Sequence, residues 1–531
     1  MASRNFSLLT LNTFSGGLNY RADQFDLANS ESPDLMNVSV DPRGGVSMRS
    51  GVDRRNPTAL GGDVKGIWGL HTDNGTHQVL VNHGTSVSYS ASTDFTDLTN
   101  ITARTDGSRV YGVTFNNVAY GVSYDKPSFK WDGVNDVDLG SATDGTDLNM
   151  PQAQYIAVWN NFVWVANTYE SGTGFKSRLR WSNLNDAQKW ANSDYVDIDI
   201  GEYGDYITGL AAHGDRLVVY KANSTYAVFG FDSDSFQVVP VSNAVGSIPL
   251  SSPVSTPYGV FCWSAQSGVH LYNGERFTWV FDKIQPAIEE GKITFVNPPQ
   301  LAWHDNKVYV SVDWTEELVT TRRVFIYDPS LGKQGAWVVT DIDAGPLLTF
   351  RPPNSTESLF AGCVTNTGSV VDLHAGHDRI SDRYLGSTES HIESHFTTSW
   401  VSGKNPVVKK RWGKPRMVTL AEASLTLKIK VYKDYDNATA SKEFDLVVAG
   451  REGAALWGTA TWDWDGSNTS AGTTDGDMVW ESEASSTVTD VKRMPTLGTA
   501  RAVSMRIEGP AVNASWSMNA LAFTYVPRRL R

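Results

Sequence analysis

The chain has 531 residues, a 40% apolar fraction that includes 18 Trp, 20 Tyr and 21 Phe, and a formal net charge of −13. That length exceeds what one hydrophobic core sustains, so two to four domains are expected, and the stock of large apolar side chains excludes global disorder. An acidic chain is a poor candidate for gripping nucleic acid by its phosphates. Its two cysteines, Cys262 and Cys363, cannot build a disulfide framework or zinc knuckle and are expected as buried thiols.

The first sixty residues are rich in turns and studded with Arg and Asp. They predict an extended N-terminal arm, 1–62, with one or two short strands. No apolar run there has signal-peptide length, and no stretch anywhere nears the ~20 apolar residues of a spanning helix, so no membrane-spanning segment is expected. The simplest compartment is a cytosol, or a particle assembled in one.

From about residue 63 a repeat sets in. Pairs of apolar strands flank a tight polar turn, as in "GVTFNNVAYGV" around Asn116, "IAVWNNFVWVA" around Asn160 and "LAWHDNKVYVSV" around Asp305. With the units around Asn74, Gly214, Tyr258 and Ser355, the spacings are 42, 44, 54, 44, 47 and 50. Four-stranded propeller blades repeat at ~40–50 residues. A third strand ending in an aromatic and a polar turn follows each pair, as in "SFKWDG", "RLRWSN", "VHLYNG" and "VFIYDP". That aromatic should wedge between blades, since one four-stranded sheet cannot bury both faces alone. The expected fold class is therefore all-β: a β-propeller of about seven blades over 63–378. The best helix candidate, 282–290, is short and carries a proline.

After the propeller, a connector is expected over 379–396. The stretch around it holds four histidines, His374, His377, His391 and His395. Their spacing lacks the order of a metal site, so a polar link is expected. From 397 to 531 a C-terminal antiparallel β-sandwich-like domain follows, with Leu425, Leu427, Ile429 and Val431 on its buried face. The loop 461–481 carries Asp463, Asp465, Asp475 and Asp477, but out of register for an EF-hand.

The search for chemistry ends without candidates. The GxSxG elbow, HExxH, the phosphate loop and the Rossmann glycines are absent, so no catalytic, cofactor-binding or metal residue is nominated and no cofactor or enzymatic activity is expected. Trp159, Phe162 and Trp164 lie inside the repeat and read as core rather than as a sugar-stacking platform. "WSNLNDAQKW" (181–190) has its Gly and Asp out of place for a sialidase Asp-box. The final arginines, Arg528, Arg529 and Arg531, read as a solvated tail.

Several stretches in order resemble one family. "FSGGLN" (14–19), "SPDLMNV" (32–38), "MRSGVDRR" (48–55), "WSNLNDAQKW", "GDRLVVYKANSTYAVFG" (214–230) and the closing "VSMRIEG…MNALAFTYVPRR" are similar to the tail nozzle (tail tubular protein B-like) proteins of short-tailed bacteriophages. The resemblance implies a structural virion protein, assembled in the host cytoplasm as a ring of six copies beneath the tail adaptor. It would form the distal tail tube, hold fibres or spikes, and retain double-stranded DNA until ejection. An acidic lumen would let DNA pass without sticking. Two other readings stand beside it: a receptor- or carbohydrate-binding propeller, with or without depolymerase activity, and a cellular scaffold.

Overall fold

The structure, a computed structural model, describes residues 6–91, 94–139, 147–199, 205–332, 334–352, 356–373, 380–384, 389–403, 405–421, 424–448, 488–510 and 514–527. The His374–His377 stretch, the 461–481 loop and the terminal arginines lie outside these residues. Strands make up 54% of the structure and helix 1%; the single helix among the described residues, Pro286–Glu289, falls inside 282–290. Among the described residues no helix is long and apolar enough to cross a membrane. The chain forms two compact units: residues 50–329 with 339–390, and residues 1–49 with 330–338 and 391–531.

The first unit is a β-propeller of seven blades. Their innermost strands are Val64–His71, Tyr111–Phe115, Gln152–Trp159, Ile207–His213, Val254–Thr256, Gln300–His304 and Leu347–Phe350. Each neighbours the next, and the seventh neighbours the first, so the ring is closed. Every hairpin of the sequence repeat joins the inner two strands of a blade. In blades 2, 3 and 6 the turn is two consecutive left-handed residues: Asn116–Asn117, Asn160–Asn161 and Asp305–Asn306. That is the type I′ geometry whose twist matches the flanking strands, and Asn and Asp tolerate it best after glycine.

The core is divided among the gaps between blades. Trp68, Leu80, Val87, Phe129 and Trp131 fill the space between blades 1 and 2; Trp164, Trp181, Leu217 and Val219 fill that between blades 3 and 4. The third-strand aromatics occupy these gaps. Trp131 lies 4.5 Å from the Tyr89 ring and donates its indole N–H to Gln78 Oε1 at 2.8 Å, both in blade 1. Tyr327 packs on Phe261 of blade 5, while Trp181 meets Phe236 of blade 4. Close approach of neighbouring blades requires small residues at points: a Cβ on Gly112 would sit 2.5 Å from the Trp68 indole. Cys262 and Cys363 are buried free thiols, and burial pushes the Cys262 thiol up to about 12.

Ring closure uses a strand the sequence reading placed in the arm. Asp53–Arg54 pairs antiparallel with Val370–Asp372 and becomes the outer strand of blade 7. Asp382 accepts a hydrogen bond from the Val52 amide at 3.0 Å nearby. Residues 50–62 thus belong to the propeller, because the last blade supplies only three strands of its own. Within the connector, Ser381–Asp382 pairs with Ser390–His391.

The second unit contains two antiparallel sheets. One takes the order Leu35–Met36, His395–Thr397, Val503–Glu508, Leu425–Lys433, Lys442–Val448; Leu425, Leu427, Ile429 and Val431 all point to its buried face. The other is eight-stranded, centred on Trp516–Pro527. Residues 6–49 are no extended arm. They contribute six short strands, and Ser7–Leu11 pairs with Leu521–Tyr525 over its whole length. Phe14 and Leu18 are buried, with Phe14 edge-on to Phe396 at 5.2 Å. The driving force is plain in the residues: apolar positions of the N-terminal segment fill this unit's core rather than face water.

Candidate functional site

The axis of a propeller is the usual place to look for a site, and here it is occupied by the chain itself. The loop before blade 5 brings Leu250 to the centre. Its carbonyl accepts hydrogen bonds from Tyr111 Oη at 2.7 Å and Gln300 Nε2 at 2.8 Å, and its amide donates to Tyr155 Oη at 3.1 Å. These partners come from the inner strands of blades 2, 6 and 3. Leu250 is held at φ 63°, a conformation costly for a branched side chain. Gly246 makes the approach possible, since a Cβ there would lie 2.3 Å from the Lys221 carbonyl oxygen. Burial pushes the Tyr111 hydroxyl up to about 12 against the pull of Arg109, so it remains a donor at any physiological pH.

In blade 6, between its second and third strands, Arg322 is buried with Asp313, its Nη1 2.7 Å from Oδ1, and its Nε donates to the Ala344 carbonyl at 2.8 Å. Burial lowers the Arg322 pKa and the Asp313 charge opposes that. This is a closed structural pair with no room for a substrate. Trp159, Phe162 and Trp164 are likewise buried in the gap between blades 3 and 4. Among the described residues no group of three His, Cys, Asp or Glu gathers as a metal-ligand set. His395 Nε2 donates to Asp34 Oδ1, 3.0 Å away, within a cluster that also joins Arg506 to Asp34 at 2.6 Å. Burial would raise the Asp34 carboxyl, but the His395 hydrogen bond, with His395 and Arg506 charge, holds it below its ordinary value.

The second unit carries a different feature. The outward face of its eight-stranded sheet holds a trough of about 870 Å³ lined by Arg411, Lys414, Arg416 and Arg493, with Phe6, Leu8, Val526 and Pro527 among its walls. Strand register builds it. Thr10, Ala522, Arg416 and Arg493 stand side by side across four strands, and Arg411 stands beside Val526, four residues along the same strand from Ala522. The alternate residues Met417, Leu521 and Phe523 are buried beneath. Alternation within each strand, combined with this register, therefore turns the cations to one face. Among the described residues none of these four cations has a carboxylate partner, whereas Lys410 between them is buried and donates to three backbone carbonyls, including Val408 at 2.8 Å and Arg501 at 3.2 Å.

The trough was missed in the sequence because total charge conceals it. Residues 50–329 and 339–390 hold 38 Asp and Glu against 22 Lys and Arg; the other unit's residues hold 20 against 23. The propeller is thus net −16 and the second unit net +3. A signal was available: five cations fall within residues 409–416.

No protein-family model matches the chain, and no curated protein matches it. Among solved structures it is similar to BBS1N in complex with ARL6DN, at 11% identity over 61% of this chain and 98% of that one, with a TM-score of 0.38. It is also similar to YCF48 bound to D1 peptide (11%, 67% and 100%, TM-score 0.39) and to YCF48 from Cyanidioschyzon merolae (10%, 61% and 98%, TM-score 0.38). The chain is a β-propeller protein.

Proposed function

We propose that this chain is a ring-forming structural component of a short phage tail, the nozzle through which the genome leaves. One observation carries the reading. Three of the six stretches that resemble the nozzle family, 14–19, 32–38 and the closing one from 503, lie toward opposite ends of the chain and belong to the interlocked second unit, while 181–190, 214–230 and most of 48–55 lie in the propeller. Gly17–Leu18 pairs with Glu31–Ser32; Leu35–Met36 pairs with His395–Phe396, which pairs with Ile507–Glu508; Val46–Ser47 pairs with Ser517–Met518. A shared packing unit is a physical reason for such separated motifs to occur together.

The plugged axis adds a constraint. DNA cannot run through the propeller of one copy, so any conduit is the hole enclosed by several copies. The acidic propeller is then the surface expected to face the DNA, because like charge keeps a duplex sliding. The tail adaptor and fibres are the partners this role requires.

Electron microscopy of the purified full chain tests the reading. Closed rings with a central hole on the order of 20 Å or wider, enough for a duplex, are the expected result. Monomers that bind or degrade a cell-surface polysaccharide would overturn it in favour of a carbohydrate-binding propeller. A ring whose lumen is lined by Lys and Arg would remove the sliding argument.

A further inference from the structure

The longest strands of any blade belong to blade 6, Lys307–Glu316 and Val319–Asp328, ten residues each. Their hairpin ends in Glu316–Glu317–Leu318–Val319. Glu317 and Leu318 occupy the two left-handed positions of the turn, at φ 48° and 67°. Blades 2, 3 and 6 place Asn or Asp at this geometry elsewhere, and Asn-Gly is the relaxed solution. A leucine there is strained, and this one is 99% exposed, with Val319 at 62%. Among the described residues neither side chain is buried against the rest of the chain. The tip is an apolar knob preceded by two carboxylates, of which Glu316 already lies 3.6 Å from Arg323 Nη2.

The trough is its counterpart. Among the described residues its cations have no acidic partner, and Phe6 and Leu8 on its wall are 65% and 68% exposed. The unit bearing the knob is net −16 and the unit bearing the trough net +3. Apolar surface and opposite charge therefore match on two different parts of the same chain.

We propose that the Arg411, Lys414, Arg416 and Arg493 trough is the docking site for a second copy of this chain, which inserts the Glu316–Val319 hairpin tip. Leu318 contacts the apolar wall, and Glu317 meets the guanidinium groups, whose forked donors suit a carboxylate. Because the two surfaces differ, the contact is heterologous. Each copy offers a knob to one neighbour and a trough to the other, and repetition gives a ring where the rotation closes. The second copy as occupant rests on the ring reading above; nucleic-acid phosphates and an acidic polysaccharide are the competing occupants.

Two variants of the full chain decide the matter by analytical ultracentrifugation. The trough variant carries Arg416→Glu and Arg493→Glu, and the knob variant carries Glu317→Lys and Leu318→Gly. Glycine relaxes the turn, so the second variant folds at least as well as the parent. Each alone is expected to weaken self-association by at least ~100-fold, as lost desolvated charge pairs do. An equimolar mixture is expected to form a one-to-one dimer and nothing larger, since it contains a single intact pair of surfaces. Variants that assemble like the parent, a mixture that stays monomeric, or a parent that remains monomeric would each overturn the proposal. So would a trough that instead takes up duplex DNA or acidic polysaccharide in an Arg416- and Arg493-dependent way. Rings that persist in both variants sink the docking site and leave the ring reading intact. Head-to-tail dimers that never close into rings keep the docking site and sink the ring reading.

Discussion

In the propeller, hydrogen-bonded neighbours are close in sequence. Trp159 pairs with Phe162 and His304 with Lys307 across their turns, and the seven blades repeat that local solution. In the second unit, Ser7 pairs with Tyr525, and Leu35 with Phe396. One unit is built from consecutive hairpins and is closed by a single long-range strand, Asp53–Arg54. The other is woven from three separated pieces, and the chain crosses between the units four times. Local pairing costs little loop entropy; the woven unit must bring distant segments together before any contact rewards it. The contrast predicts that the propeller forms first and that the two units melt separately.

The largest effect is expected at the buried pair of blade 6. Arg322→Met keeps the volume but leaves Asp313 charged and uncompensated, and should cost the propeller about 3–5 kcal/mol. Calorimetry should show the propeller transition falling toward that of the second unit. An unchanged transition would mean that Asp313 takes up a proton or water at small cost.

Phe14→Ala sharpens the comparison from the other side. Phe14 is buried against Phe396, and its loss should cost about 3 kcal/mol in the second unit alone. Hydrogen exchange should then rise in residues 391–531 while the seven blades keep their protection. A single joint transition would contradict the separation of the units.

The smallest effect is one of pH. The folded Asp34 carboxyl lies below its ordinary value of 3.8, so its ionised form stabilises the second unit above that value. The contribution is lost as pH falls through the lower folded pKa. Its side chain is 45% exposed, so solvent screening limits the gain to less than ~1 kcal/mol. Asp34→Asn should flatten the acid limb of the second unit's stability curve and leave the propeller's unchanged.

How much was legible follows from the same contrast. Each hairpin of the repeat carries its own turn residues and its own alternation, so seven inner pairs were readable around Asn74, Asn116, Asn160, Gly214, Tyr258, Asp305 and Ser355. The third-strand aromatics were legible for the same reason. Asp53–Arg54 was not, because a two-residue strand has no periodicity to read, and only the vacant edge of blade 7 gives it a partner. The axial plug was hidden as well: nothing local marks Leu250 until Tyr111, Tyr155 and Gln300 converge on it.

The trough shows the limit most clearly. The residues 409–416 announce a basic run, yet Lys410 is buried on carbonyls while Arg411 and Arg416 face outward beside Arg493. Alternation is a local property, so the sequence by itself determined that these strands are amphipathic, that the chain is all-β, and that about seven units repeat. Which cations share a face depends on strand register between segments far apart in the chain, such as Arg416 with Arg493 and with Ala522. Register is set by which apolar faces can be buried together, and only the tertiary structure decided that.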